Sequence, residues 1–138
     1  MNILSFSSIA DQIKKEINHK CGLNLSQTRI ILFFAQNQNQ DLNMGQLATQ
    51  LHISLSTLSR QLQQKKTNSL IEITKSKKDS SKNIHLNELG LQKVNELKQE
   101  LGLLHKTIFN FWDKGELELF EAQLAMIAKK LESSESVK

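Results

Sequence analysis

Apolar residues recur at helical spacing over most of this chain, and this periodicity limits the possible fold more than any other feature. Residues 3–20 show it, and Ser26 is the expected N-cap of a further helix. From residue 88 onward the apolar positions follow one another mostly three or four residues apart: Val94, Leu97, Leu101, Leu104, Ile108 and Phe111, then Leu117, Phe120, Leu124, Ile127 and Leu131. Such seams suit the packing of helix on helix. The absence of proline agrees, because helix interiors tolerate proline least.

Two short runs rich in β-branched residues interrupt the helical pattern. They are residues 70–74 and 83–86, and both read as strands. The polar stretch from Lys75 to Lys82 between them predicts the tip of a β-hairpin.

Two short helices are predicted immediately before these strands. Asn43 and Gln46 match a capping box at the start of the first helix, which ends near Leu51. Ser54 or Ser56 begins the second helix, which extends to about residue 66. Two short helices joined by a tight turn form the helix-turn-helix pattern.

The second of these helices has two different faces. Leu55, Leu58 and Leu62 fall within one arc, which we expect to face the core. The opposite arc collects polar side chains and no acid: Ser56, Thr57, Arg60, Gln63 and Gln64. Hydroxyls near a helix N-terminus can contact phosphate, and arginine and glutamine can read guanine and adenine. This face therefore predicts a helix for the major groove; a plain solvated face, the alternative, would usually carry Asp or Glu.

Positive charge is concentrated in the same part of the chain. Residues 54–90 hold seven Lys and Arg against three Asp and Glu, a net of +4, which equals the net charge of the whole protein. A local basic patch is typical of nucleic-acid binding, although a solvated lysine-rich loop is the alternative. The hairpin lysines would give salt-dependent affinity for the DNA backbone, and they are Lys75, Lys77, Lys78 and Lys82.

In order along the chain, these stretches resemble the MarR family of winged helix-turn-helix transcriptional regulators over about residues 25–96. The segments that carry the resemblance are Leu47-Ala48, Ile53-Ser54-Leu55-Ser56-Thr57-Leu58-Ser59-Arg60, Leu70-Ile71 and His85-Leu86-Asn87-Glu88-Leu89-Gly90. No single segment is specific, but the ordered set is.

The resemblance implies a mainly α fold with a small β-hairpin wing. Residues 1–138 would form a single MarR-like domain, with 25–87 as the winged helix-turn-helix DNA-binding lobe and 1–22 and 88–131 as flanking dimerisation helices. It implies a homodimer on a pseudo-palindromic operator in duplex DNA, usually a repressor. The side chains expected in the major groove are Ser54, Ser56, Thr57, Arg60 and Gln64.

Three positions depart from the family pattern. The family usually has an arginine a few residues after the wing aspartate, whereas here Asp79 is followed by two serines and Lys82. Lys82 or Lys78 would have to replace that arginine in the minor groove. Lys65 stands where the family usually buries a leucine, and Ser69 where it has a glycine.

A small-molecule effector is a further expectation. Such a pocket could be lined by aromatic side chains, although aromatic residues at helical spacing are more often core: Phe33, Phe34, Phe109 and Trp112. Cys21 is expected to be a bystander rather than a redox sensor, because the chain has no tyrosine and its single cysteine lies late in the first helix.

The remaining features argue against other classes. We expect no catalytic residues, no metal site and no cofactor, since the sequence has no catalytic motif and no compact pair of His or Cys ligands. The apolar runs are too short for a membrane span, and with one cysteine the chain is expected to be cytoplasmic. Two alternatives stay open: a winged-helix protein-interaction module that has lost specific DNA reading, and RNA binding. The second is disfavoured because residues 54–90 contain no aromatic side chain for base stacking.

Overall fold

The computed structural model describes residues 1–75 and 81–136, which form seven helices and one three-stranded sheet. The elements follow in the order α1 (Leu4–Cys21), α2 (Leu25–Gln36), β1 (Leu42–Asn43), α3 (Met44–Gln50), α4 (Leu55–Gln63), α5 (Lys65–Asn68), β2 (Ile71–Lys75), β3 (Lys82–Leu86), α6 (Glu88–Phe109) and α7 (Lys114–Ser136). The predicted class, a mainly α chain with a small β-hairpin wing, is confirmed. The chain divides into two compact units, Met1–Gly102 and Leu103–Lys138. No helix within the described ranges is long and apolar enough to cross a membrane.

Capping boxes set where α2 and α3 begin. Asn24 Oδ1 accepts from the backbone N–H of Gln27 at 2.9 Å, and the Asn24 N–H donates to Gln27 Oε1 at 2.9 Å. Asn43 and Gln46 make the same exchange at 2.8 and 3.1 Å, which confirms the box predicted there. The expectation that Ser26 caps α2 is wrong, because Asn24 already satisfies the exposed N–H groups two residues earlier.

A tight turn joins α3 to α4. His52 has a φ of 57°, in the left-handed region, and the Ile53 N–H donates to the Ala48 carbonyl at 3.1 Å. Ser54 then caps α4, since its Oγ accepts from the Thr57 N–H at 3.1 Å. The predicted helix-turn-helix is therefore present, with Ser54 rather than Ser56 as the N-cap.

The second helix is shorter than the sequence predicts. It ends at Gln63, because Gln64 has an extended backbone with φ −58° and ψ 132°. The chain then makes the separate short helix α5 before β2. In α5 Thr67 takes the buried position, while Lys65 and Ser69 are exposed. Ser69 has a φ of −69°, so its backbone does not require the glycine that the family has there.

The sheet has the strand order β1-β3-β2, with both pairs antiparallel. β2 and β3 pair from Ile71 opposite Leu86 to Lys75 opposite Lys82. Both lysines therefore belong to strands, so the prediction that the hairpin tip includes Lys75 and Lys82 is wrong. β1 was not predicted, because a strand of two residues is too short to show alternation.

The core of the unit Met1–Gly102 draws on α1, α2, α3, α4, α6, the sheet and the loop before α2. Its most completely enclosed side chains have relative exposures below 2%: Phe34, Leu23, Ile30, Leu47, Leu58, Ile84, Leu86 and Leu97. Burying one such side chain stabilises the fold by about 1.5–3 kcal/mol. Because Leu58 of α4 and Ile84 of β3 belong to the same buried cluster, one core holds both the second helix of the helix-turn-helix and the wing sheet.

The first leucine of α4 does not join this core. Leu58 and Leu62 are 0% and 4% exposed, as predicted, but Leu55 is 55% exposed. Helical periodicity places all three on one side of the helix, but it does not show how far the core extends along the helix axis. The first turn of α4 lies beyond its edge, so the prediction that Leu55 is buried is wrong.

The unit Leu103–Lys138 contains the end of α6 and the whole of α7. Aromatic rings at the turn between them pack on one another, with centroids 5.1 Å apart for Phe109 and Trp112 and 5.0 Å for Trp112 and Phe120. Asp113 caps α7 by accepting from the Glu116 N–H at 2.8 Å, and this hydrogen bond lowers the pKa of the Asp113 carboxyl. Phe111, predicted as part of the α6 seam, instead lies in the turn after α6 and is 95% exposed.

Candidate nucleic-acid interface

Hydroxyl groups cluster at the exposed N-terminus of α4. Ser54 Oγ lies 2.8 Å from Thr57 Oγ1, to which it donates, and 3.2 Å from Ser56 Oγ. Ser54 and Ser56 are exposed, and Thr57 is half-buried. The cap thus fixes three of the predicted major-groove side chains in one place, beside the backbone N–H groups of the first helical turn.

Arg60 lies one turn further along the same face. Its side chain is exposed, and Nη2 is 3.5 Å from Thr57 Oγ1, at the outer limit of a hydrogen bond. This contact with the hydroxyl cluster is weak and involves only one nitrogen of the guanidinium. A guanidinium presented in this way has a donor pair free to meet two acceptors on one base edge.

Gln64 is placed differently from the other predicted groove residues. It follows the last residue of α4, and its Oε1 lies 3.4 Å from Nε2 of the buried Gln27. Because Gln27 also completes the capping box of α2, this contact connects the end of α4 to the start of α2. Base reading by Gln64 stays a prediction, and a bidentate contact with adenine would require this contact to break, because it needs both Oε1 and Nε2 of Gln64.

The described part of the wing presents one pair of lysines. Lys75 and Lys82 are exposed and directly opposite each other at the end of the described hairpin. Like charges in this arrangement repel, and an anion between them would remove the penalty. By the alternation of strands, both project from the face on which Ile84 packs into the core. Lys77 and Lys78, the other predicted wing lysines, lie outside the described residues.

Sequence reasoning missed part of this surface. Lys65 and Lys66 of α5 are exposed between α4 and the wing, and Leu55 is exposed beside the hydroxyl cluster. The chain from Leu42 to Ile71 contains no acidic residue, whereas Arg60 and these two lysines are basic. That continuous absence of acids was readable in the sequence; the exposure of Leu55 was not.

The residues predicted for an effector pocket fall in both units. Phe33 and Phe34 of α2 pack edge to face with centroids 6.1 Å apart, and Phe34 is fully buried. Phe33 is half-buried and lines an open groove of about 240 Å³ with Asn37, Gln40, Leu42, Gln46 and Gln50. Phe109 and Trp112 belong to the aromatic group of the second unit. A pocket that joins all four remains a prediction.

The single cysteine and the possible metal ligands are the remaining candidates for a site. Cys21 is buried, and burial raises the pKa of its thiol, although Lys93 opposes the shift. Among residues 1–75 and 81–136, no three His, Cys, Asp or Glu side chains are arranged to hold a metal ion.

Comparison with known proteins identifies the fold. No family model matches the sequence, and no curated protein matches it significantly. The chain is similar to the solved structure of S. aureus MepR in complex with DNA, at a TM-score of 0.77 and 20% identity, covering 95% of this chain and 96% of that one. The structure called MarR gives 0.75 and 15%, covering 100% and 96%. The heme sensor PefR from Streptococcus agalactiae in complex with heme gives 0.70 and 22%, covering 92% and 88%. The chain therefore has the MarR-type winged-helix fold, as the sequence resemblance predicted.

Proposed function

We propose that the protein is a homodimeric, sequence-specific DNA-binding transcriptional regulator that acts as a repressor on a pseudo-palindromic operator. The observation that carries this proposal is the exposed first turn of α4, where Ser54, Ser56 and Thr57 surround the helix N-terminus and Arg60 follows one turn later. In this arrangement the hydroxyls contact phosphate and the guanidinium reads guanine in the major groove.

The wing supplies affinity that does not depend on sequence. Lys75 and Lys82, opposite each other on β2 and β3, contact the phosphate backbone beside the groove that α4 enters. Lys65 and Lys66 extend the same basic surface between α4 and the wing. Each phosphate contact releases counterions, so binding weakens as salt is raised.

Leu55 adds a contact of a different kind. It is exposed at the first position of α4, next to the hydroxyl cluster, where a thymine methyl group in the major groove can pack against it. Together Leu55 and Arg60 distinguish more than one base of the half-site.

Exposed apolar surface supports the homodimer. Ile3, just before α1, is exposed, as are Leu4, Phe6 and Ile9 in the N-terminal half of α1. In α7 the exposed apolar residues are Leu119, Leu124, Met126, Ile127 and Leu131. No residue described between 103 and 134 is buried, so this unit lacks a core of its own. Monomeric proteins rarely leave so much apolar surface in water. A second copy of the chain covers it and places two copies of α4 on the two halves of a symmetric operator.

A small-molecule effector regulates this binding in our proposal. PefR, solved in complex with heme, has the same fold and is described as a heme sensor, so the fold accommodates ligand-dependent regulators. An effector shifts the protein away from the DNA-binding state only if it binds the two states with different affinities.

Two measurements on the full chain test the proposal. Light scattering at micromolar concentration is expected to give the mass of a dimer; the monomer mass would contradict the dimer. Fluorescence anisotropy compares the DNA upstream of the protein's own gene with a scrambled duplex at several salt concentrations. A clear preference for the first duplex supports a sequence-specific regulator. Weak and equal binding to both contradicts it and favours a winged-helix protein-interaction module.

A further inference from the structure

His85 lies between two carboxylates on the polar face of the wing sheet. Its Nδ1 is 2.6 Å from Asp41 Oδ1, and its Nε2 is 3.2 Å from Glu72 Oε2. Both distances are within hydrogen-bonding range, and the histidine side chain is about 25% exposed. Each of its two ring nitrogens is therefore paired with an acceptor that has no proton to give when ionised.

This geometry suits one protonation state of the ring. The imidazolium donates from both nitrogens, whereas neutral imidazole donates from one and presents a lone pair at the other. With a neutral ring, a lone pair would face a carboxylate oxygen, so one of the two hydrogen bonds would be replaced by repulsion. Histidine is the side chain whose charge ordinarily changes between about pH 5 and pH 8.

The three residues form a row across the sheet. Glu72 of β2 is the register partner of His85 on β3, and Asp41 directly precedes β1 on the other side of β3. The neighbouring side chains on this face of the sheet, which do not titrate, are Asn43, Asn83 and Thr74. Of the helices in contact with β3, α3 has no charged side chain and α2 has only Arg29. Asp41 and Glu72 are thus the described charged groups that face the ring.

We infer that His85 is a pH-dependent positioning residue for the wing, and that it makes DNA binding stronger at low pH than at high pH. This inference rests on the proposed function. The protonated ring joins β1 and β2 to β3 and leaves the row with one net negative charge. Loss of the proton breaks one of these two hydrogen bonds and leaves two negative charges, which lowers the positive potential around the wing. The lost hydrogen bond and the added negative charge both weaken DNA binding at high pH. DNA is a polyanion, so it binds better when His85 is protonated.

A second contact keeps the change local. Asn39, in the loop after α2, donates to the Leu86 carbonyl at 3.0 Å and accepts from the Leu86 N–H at 2.7 Å. These two bonds do not depend on pH, so they hold that loop on β3 whether or not His85 is charged. We therefore expect a graded loosening of the sheet and not its unfolding.

The first test needs no DNA. Hydrogen exchange of the β1, β2 and β3 amides is measured at about pH 6 and about pH 8, with each rate divided by the intrinsic rate at that pH. The wild-type amides are expected to lose protection by about two- to fivefold at the higher pH, the size of a partly exposed ion pair. The ¹⁵N shifts of the His85 ring report whether both nitrogens carry protons. A neutral ring that keeps both contacts at low pH would overturn the inference.

Two variants separate this role from a merely structural one. His85→Gln should lower protection at both pH values and remove the pH dependence. Glu72→Gln should keep the protection of the sheet amides at both pH values. The side-chain amide of the new glutamine can accept from the protonated ring and donate to the lone pair of the neutral ring. His52→Asn is the matched control: it removes a histidine at a left-handed position that asparagine tolerates, and it should leave the pH dependence unchanged.

The second test repeats the DNA titrations at the same two pH values. Specific affinity is expected to fall by about two- to fivefold at the higher pH in the wild type and in His52→Asn. It is expected to fall less in Glu72→Gln, where both contacts of the ring persist and only the change in the charge of the row remains. If the exchange results hold but no duplex binds at either pH, the proposed function fails while the role of His85 in the wing stands. If DNA binds specifically but its pH dependence survives in His85→Gln, the inference is wrong and the proposed function stands.

Discussion

Gly90 in the first turn of α6 lies so close to Leu70 that a β-carbon on Gly90 would be 2.2 Å from the Leu70 carbonyl oxygen. The same β-carbon would meet Leu86 Cβ at 3.0 Å. The Leu70 carbonyl also accepts from the Asn87 N–H at 3.0 Å, and the Asn87 side chain caps α6 by accepting from the Gly90 N–H. The start of the wing is therefore packed on the start of α6 with no room for a side chain.

We predict that Gly90→Ala destabilises the protein by about 1–3 kcal/mol. The atom in the way belongs to the backbone, so β2 or α6 must shift to admit the methyl group. Urea unfolding followed by circular dichroism measures the change. Gly102→Ala in the same helix is the control, because a β-carbon on Gly102 would meet no atom of another part of the chain within 4 Å. This substitution should raise the free energy of unfolding by about 0.5–1 kcal/mol. Equal effects of the two substitutions would contradict the close packing.

Local features of the sequence were enough to predict most of the helix-turn-helix and the wing. The capping box of Asn43 and Gln46 and the N-cap Ser54 depend on residues within one helical turn, which a sequence displays directly. The buried positions Leu58 and Leu62 follow from helical periodicity for the same reason.

Other features depend on distant parts of the chain and could not be predicted. β1 exists because Leu42 and Asn43 find partners about forty residues away on β3. The environment of His85 is likewise set by Asp41 and Glu72, which lie on two other segments of the chain. No spacing in the sequence places these three residues in one row.

Arg60→Ala is predicted to weaken specific DNA binding by about 1–3 kcal/mol and to relax the preference for one base pair. The scrambled duplex should lose less, because the guanidinium reads a base edge only in the correct site. Lys82→Ala should weaken binding to the specific and the scrambled duplex equally. It should also reduce the slope of log affinity against log salt concentration by about 1, because one phosphate contact is lost. Anisotropy titrations at several salt concentrations measure both.

Lys98→Ala is the control for charge alone, since Lys98 is exposed on α6 and is not part of the proposed interface. It should change neither binding curve appreciably. If Arg60→Ala lowered the affinity of specific and scrambled duplexes by the same factor, Arg60 would be a phosphate contact and not a base reader.

Cys21 is predicted to react slowly with a thiol reagent in the native protein and rapidly in urea. Burial both hides the sulfur and raises the pKa of the thiol, so little thiolate is present at neutral pH. With a disulfide reagent that releases a coloured thiol, absorbance measures the reaction rate in the native protein and in urea. Similar rates in the two states would contradict burial and support a redox-sensing role.

The same pKa shift predicts how stability depends on pH. A thiol whose pKa is raised by folding stabilises the native state below the thiol's unfolded pKa of about 8.5. That contribution is lost as pH rises through the folded value. The free energy of unfolding should therefore fall more steeply in alkali for the wild type than for Cys21→Ala. Identical pH profiles would show that the thiol does not titrate differently on folding.

Leu55→Ala is predicted to remove sensitivity to a thymine methyl group in the operator. Replacing thymine by uracil through one half-site deletes the methyl groups and should weaken wild-type binding, while Leu55→Ala should bind both duplexes alike. The double-mutant cycle isolates the contact, because a coupling free energy appears only if leucine and methyl touch. Leu58→Ala, in the buried arc of the same helix, is the control: it should lower stability by about 2–5 kcal/mol yet retain the discrimination against uracil. A zero coupling energy for Leu55 would leave it as an exposed leucine without a role in base recognition.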